Sequence, residues 1–170
     1  MTTFSARRRV GSMLTAIVLL TPISPVIADR DHERDVVVKF TKWVTSVVPA
    51  VPTMAMPPRL LMVGVVGGHI GSGAFRGEVV DRKVSSGHTA PIVSLHAIYE
   101  VQAGAFSFTA LIQGGSGTEG IGLLDGVILN GWRAGSRVHV EFKTLAGCPE
   151  NTGAFPNCFR GTIRVSRDSD

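Results

Sequence analysis

Aromatic residues and cysteine are scarce in this chain. Its 170 residues include one tyrosine, two tryptophans and two cysteines. Two thiols cannot complete a four-ligand zinc centre, and no histidine lies between Cys148 and Cys158, so no metal site is expected there. No apolar run reaches the about 20 residues of a membrane-spanning helix without interruption. Excess charge is small as well: 17 Lys and Arg stand against 13 Asp and Glu, a net +4. Three of the basic residues, Arg7, Arg8 and Arg9, fall within the first 28 positions, and the remainder is almost balanced at 14 basic to 13 acidic. With no basic run beyond the leader and few rings for base stacking, a nucleic-acid partner is not expected.

The leader itself is the clearest feature present. Arg7–Arg9 form a positive n-region, Val10–Leu20 an apolar stretch, and Pro22 and Pro25 end it. Val26-Ile27-Ala28 has the small-residue pattern of a cleavage site, with Asp29 just beyond. Residues 1–28 are therefore read as a signal peptide cleaved after Ala28, which makes the protein secreted or periplasmic. An uncleaved anchor is the alternative, disfavoured by Gly11, Pro22 and Pro25. No stable membrane insertion is expected after cleavage. In an oxidising compartment Cys148 and Cys158 are expected to form one disulfide.

Residues 29–59 read as a charged start, a short element and a proline-rich linker. In the element, Val36, Phe40, Trp43, Val44 and Val47 fall at helical spacing, while the β-branched content favours a strand, so both remain open. Pro49, Pro52, Pro57 and Pro58 make the linker extended. Such a strap lies across a domain, plugs one end of it, or serves as a partner-binding arm.

From residue 60 to 170 the pattern is β-structure. Strands are expected at 60–67, 74–81, 92–102, 105–113, 120–129, 136–144 and 158–166. Phe106, Phe108, Ala110 and Ile112 share one face of their strand. Val138, Val140 and Phe142 oppose His139, Glu141 and Lys143. Ala103-Gly104 and Asn130-Gly131 are hairpin signals. The fold class is therefore all-β: a small antiparallel barrel, because successive strands look hairpin-connected, with a β-sandwich as the alternative. Most glycines are read as bends and bulges of such a barrel.

Two glycine-rich stretches invite a nucleotide reading and fail it. After the apolar Leu60–Val66 run, Gly71-Ser72-Gly73-Ala74-Phe75-Arg76-Gly77 has the wrong spacing for a dinucleotide fingerprint, and no crossover helix follows. Gly114-Gly115-Ser116-Gly117 lacks the Gly-Lys-Ser/Thr of a phosphate loop, and Ser116 lacks a nucleophile-elbow context. No cofactor is expected.

Among the five histidines (His32, His69, His88, His96 and His139) none pair at metal-ligand spacing. His96 and Glu100 share a face of strand 92–102, and Tyr99 points to the other. His96, Tyr99 and Glu100 are the catalytic candidates for acid–base work if polar faces turn inward. The apolar opposite face favours His96 and Glu100 pointing out. Phe106, Phe108, Val138 and Val140 are the candidate lining of an apolar ligand site.

The segment Ile112-Gln113-Gly114-Gly115-Ser116-Gly117, followed by Glu119-Gly120 and then Gly126-Val127-Ile128-Leu129, is similar to part of the allene oxide cyclase and dirigent barrels. The resemblance implies an eight-stranded barrel, secreted or organelle-targeted, that holds an apolar substrate in its lumen and steers it by cavity shape. It carries over no catalytic residue. Three functions are thus open: non-catalytic binding of a small apolar molecule, a cofactor-free cyclase or isomerase, and an envelope interaction module using 29–59.

Overall fold

A computed structural model describes residues 35–50, 58–86, 91–117, 119–153 and 155–166. The signal segment, the charged start and most of the proline-rich linker lie outside the described residues. Eight strands follow one another: β1 (Val36–Val48), β2 (Arg59–Gly68), β3 (Gly73–Ser86), β4 (Pro91–Gln102), β5 (Phe108–Ser116), β6 (Ile121–Gly131), β7 (Arg137–Leu145) and β8 (Cys158–Ser166). Each pairs antiparallel with its neighbours in sequence, and β1 pairs with β8 to close the barrel. Among the described residues no helix is long and apolar enough to cross a membrane.

The expected barrel is there, with one strand more than the sequence pattern separated. Residues 36–48 are not an element ahead of the domain: Val38 faces Ile163 on one side and Gly68 on the other, so β1 is part of the wall. Its pattern has period two. Val36, Val38, Phe40, Lys42 and Val44 point inward, and β-branched residues favour the extended chain. An arm made of 29–59 is accordingly reduced to its ends, because its centre closes the barrel.

Two further expectations shift. The strand begun at 105 starts at Phe108, since Gly104–Phe106 form a short 3₁₀ turn. Phe106 consequently leaves the face it was assigned to and lies 40% exposed, its ring edge-on to Trp132 at 5.4 Å. Asn130 and Gly131 end β6 rather than making the turn. The chain reverses over 132–135, where Arg133 at φ 55° and Gly135 at φ 90° take the left-handed conformations.

The two halves of the interior are filled differently. An eight-stranded barrel is just wide enough to be packed with side chains or to hold one small ligand. At the end bearing the β2–β3, β4–β5 and β6–β7 turns, Val38, Val66, Val101, Phe108, Ile128 and Val165 are buried together, with Ile70 and Trp132 closing the end. Toward the other end, inward glycines take the place of large residues. Gly64 lies opposite Lys42 and Phe75, and Gly122 opposite Phe142. A Cβ at Gly122 would run into the Phe142 ring.

Cys148 and Cys158 stand at disulfide distance, with Cα atoms 6.2 Å apart. A bridge across this ten-residue separation stabilises the fold by about 3 kcal/mol through restriction of the unfolded chain. It ties the β7–β8 connection down at the start of β8, where Gly153 packs against Trp43 on the outer face of β1.

The space left by Gly122 yields a direct expectation. Gly122→Val forces the Phe142 ring aside and lowers stability by about 1–3 kcal/mol in denaturant unfolding. An unchanged unfolding midpoint would show that the ring does not need that space.

Candidate functional site

In the less crowded half of the barrel lies a cavity of about 340 Å3, at the lower end of the about 300–1,000 Å3 of ligand pockets. Its wall is mostly apolar: Val44 from β1, Leu60 and Met62 from β2, Val79 from β3, Leu95 from β4 and Phe159 from β8. Val47, Arg82 and Phe155 also line it and are exposed, so it reaches solvent past them. Among the described residues that line it there is no carboxylate.

Two polar side chains meet inside. Lys42 projects inward from β1 and Tyr99 from β4, each 1% exposed. Lys42 Nζ donates a hydrogen bond to the Tyr99 hydroxyl. Aromatic rings surround the amine: Tyr99 at 4.0 Å from Nζ to centroid, Phe142 at 4.8 Å, Phe40 at 5.2 Å, Phe75 at 5.5 Å and Phe159 at 5.8 Å. Phe75 also meets the Tyr99 ring edge-on at 4.8 Å, which fixes the phenol in place. Among the described side chains around Nζ only Tyr99 titrates.

Opposing effects act on the Lys42 charge. A ring face attracts a desolvated cation by about 2 kcal/mol or more. Removing the ion from water costs several kcal/mol, and no carboxylate offsets it here. Desolvation dominates and holds the Lys42 pKa well below its ordinary value. The same burial pushes the Tyr99 phenol up, keeping it protonated. Burial thus favours the uncharged form of both groups, an amine hydrogen-bonded to a phenol in an apolar chamber.

The catalytic candidates do not converge. Tyr99 is inside, whereas His96 and Glu100 point outward from the same strand. His96 lies 3.7 Å from Asp81 on the outer surface, and Glu100 accepts a hydrogen bond from Gln102 Nε2 at 2.6 Å. His139 likewise stays outside, 2.7 Å from Asp125. The ligand-binding candidates are displaced too. Phe108, Val138 and Val140 are buried, but they pack the filled part of the core and are not among the cavity's lining residues. One step further along β7, Phe142 reaches the cavity. Phe106 lies outside the barrel altogether. Among the described residues no three potential metal ligands come together.

Lys42 does not stand out in the sequence because helix and strand both remain open over residues 36–48. Read with period two, the run Val36, Val38, Phe40, Lys42, Val44 carries one lysine at an otherwise apolar position, and that mismatch is the signal. No family model matches the chain, and neither does any curated protein or solved structure.

Burial of Lys42 has a measurable consequence. Between its lowered pKa and 10.5 the unfolded chain carries a proton that the folded state lacks, so stability rises with pH across that window. Above about 10 the unfolded tyrosine ionises while Tyr99 does not, and stability falls again. Lys42→Met is expected to raise stability near pH 7 by about 1–4 kcal/mol and to remove the rising limb, as read by urea unfolding across pH. A variant less stable than the parent, with the same pH slope, would show that the lysine is charged when folded.

Proposed function

We propose that this protein is an exported barrel that binds a small apolar molecule, without turnover, in the open half of its lumen. The observation that carries the reading is the cavity of about 340 Å3, in which the hydrogen-bonded pair Lys42 and Tyr99 lies among mostly apolar walls. Burying apolar ligand surface supplies about 25 cal/mol per Å2, and one polar contact orients the molecule. The ligand carries an oxygen that accepts from the Tyr99 hydroxyl, whose own oxygen accepts from Lys42 Nζ.

Export is supported by the leader, with its Arg7–Arg9 region and the Val26-Ile27-Ala28 junction. Cys148 and Cys158 at disulfide distance suit an oxidising compartment. Exposed Arg76, His96, Gln113, Glu141, Lys143 and Arg164 alternate with the inward residues of their strands, which supports a barrel standing in water rather than in lipid. Likeness to the allene oxide cyclase and dirigent barrels agrees with an apolar lumen. Acid–base turnover by His96, Tyr99 and Glu100 is left out of the proposal, because only Tyr99 faces the cavity.

The test is a titration with the fluorescent apolar probe 1-aminoanthracene. The parent chain is expected to bind one equivalent, and Leu95→Trp or Val79→Trp, which fill the cavity, to weaken binding by at least about tenfold, or 1.4 kcal/mol, with circular dichroism unchanged. Equal binding by the parent and both variants would place the probe elsewhere and overturn the reading.

A further inference from the structure

We propose that Lys42 is a nucleophile, and that the barrel captures small apolar aldehydes or ketones covalently as an imine. This names the ligand class for the cavity and rests on the binding reading above. Lys42 and Tyr99 both line the cavity and their polar ends are hydrogen-bonded to each other, so the two groups lie side by side at its wall. The remaining polar lining, Arg82 and Ser116, comes from the ends of β3 and β5 toward the mouth. A carbonyl that accepts from the Tyr99 hydroxyl has its carbon next to the amine.

The chemistry is balanced without any other reactant. The amine lone pair attacks the carbonyl carbon, and the C=O π pair moves to oxygen. The nitrogen loses a proton and the oxygen gains one, giving a carbinolamine. The nitrogen lone pair then forms C=N while the C–O bond breaks, and the hydroxyl leaves as water after protonation, with the second nitrogen proton released. One amine and one carbonyl become one imine and one water, with no change in oxidation state. Tyr99 is placed to donate a proton to the departing oxygen and recover one from the nitrogen.

Burial favours this outcome over simple ion pairing. A nucleophilic lysine must be unprotonated, and desolvation in an apolar pocket is one way to achieve that. Its product, an unprotonated imine, introduces no charge among the Phe40, Phe75 and Phe142 rings. A carboxylate ligand would require two charges to be carried into the same chamber. Each unit by which a lysine pKa falls raises its free-amine fraction at pH 7 about tenfold.

The experiment uses 2-naphthaldehyde with cyanoborohydride at pH 7, and 2-naphthalenemethanol as the unreactive analogue. Intact mass is expected to rise by one aldehyde less one oxygen atom, the mark of a reduced imine. Peptide mapping should place the label on Lys42 at least about tenfold faster than on Lys39, Lys83 or Lys143, and should separate it from the α-amino group. Unfolding the chain in urea should abolish that preference, a control that needs no variant. Lys42→Met should lose the fast adduct and still bind the alcohol; Tyr99→Phe should label more slowly. If the alcohol binds in the cavity while Lys42 labels no faster than the other lysines, covalent capture is overturned and the binding reading stands. If neither compound binds, both fall.

Discussion

Pairing of β1 with both β2 and β8 is the constraint on which the rest of the structure depends. It turns a sheet into a closed wall, and closure withdraws most of the inner face from water. Alternation along β1 then decides what is enclosed: Val38 and Phe40 reach the core, and two residues on, Lys42 does too. A lysine on an open sheet would extend its chain to solvent. Here the neighbouring strands block that path, and the amine must find its partners inside the lumen.

What it finds is one hydroxyl and a set of rings. The net worth of a buried hydrogen bond is about 1 kcal/mol, which does not approach the desolvation cost of an ammonium. Burial therefore pushes the amine toward its unprotonated form. The inward glycines make the arrangement possible, since Gly64 and Gly122 give up volume that the lysine and Phe142 use. Space, neutrality and reactivity in the lumen thus share one origin: a polar amine was placed where the packing pattern calls for an aliphatic side chain.

Much of this architecture was legible in the sequence. Alternation in 92–102, 136–144 and 158–166 marked the strands and their inward faces, and the short connections pointed to a barrel. The outward placement of His96 and Glu100 followed from the apolar residues opposite them. Other parts were obscured for physical reasons. Residues 36–48 satisfy a helical and a strand period at once, because a large apolar residue also sits on the outer face of β1: Trp43 is outward yet covered by the β7–β8 connection. Phe106 continues the spacing of Phe108, but the 3₁₀ turn breaks the strand before it. The extent of the cavity depends on which strand positions stand at the same level around the barrel, and registers between strands are not visible in one sequence. That is why Phe108 and Val138 were taken for lining residues when Phe142 and Leu95 hold those places.

The central claim, that the barrel encloses a neutral lysine, can be read directly. The chain has four lysines. With lysine labelled in 13C at the ε position, NMR follows each one through a pH titration of the folded protein. The account predicts one resonance, absent from Lys42→Met, that titrates well below 10.5 while the other three remain near it. Four lysines all titrating near 10.5 would mean that Lys42 stays charged in the fold, and the account would be wrong.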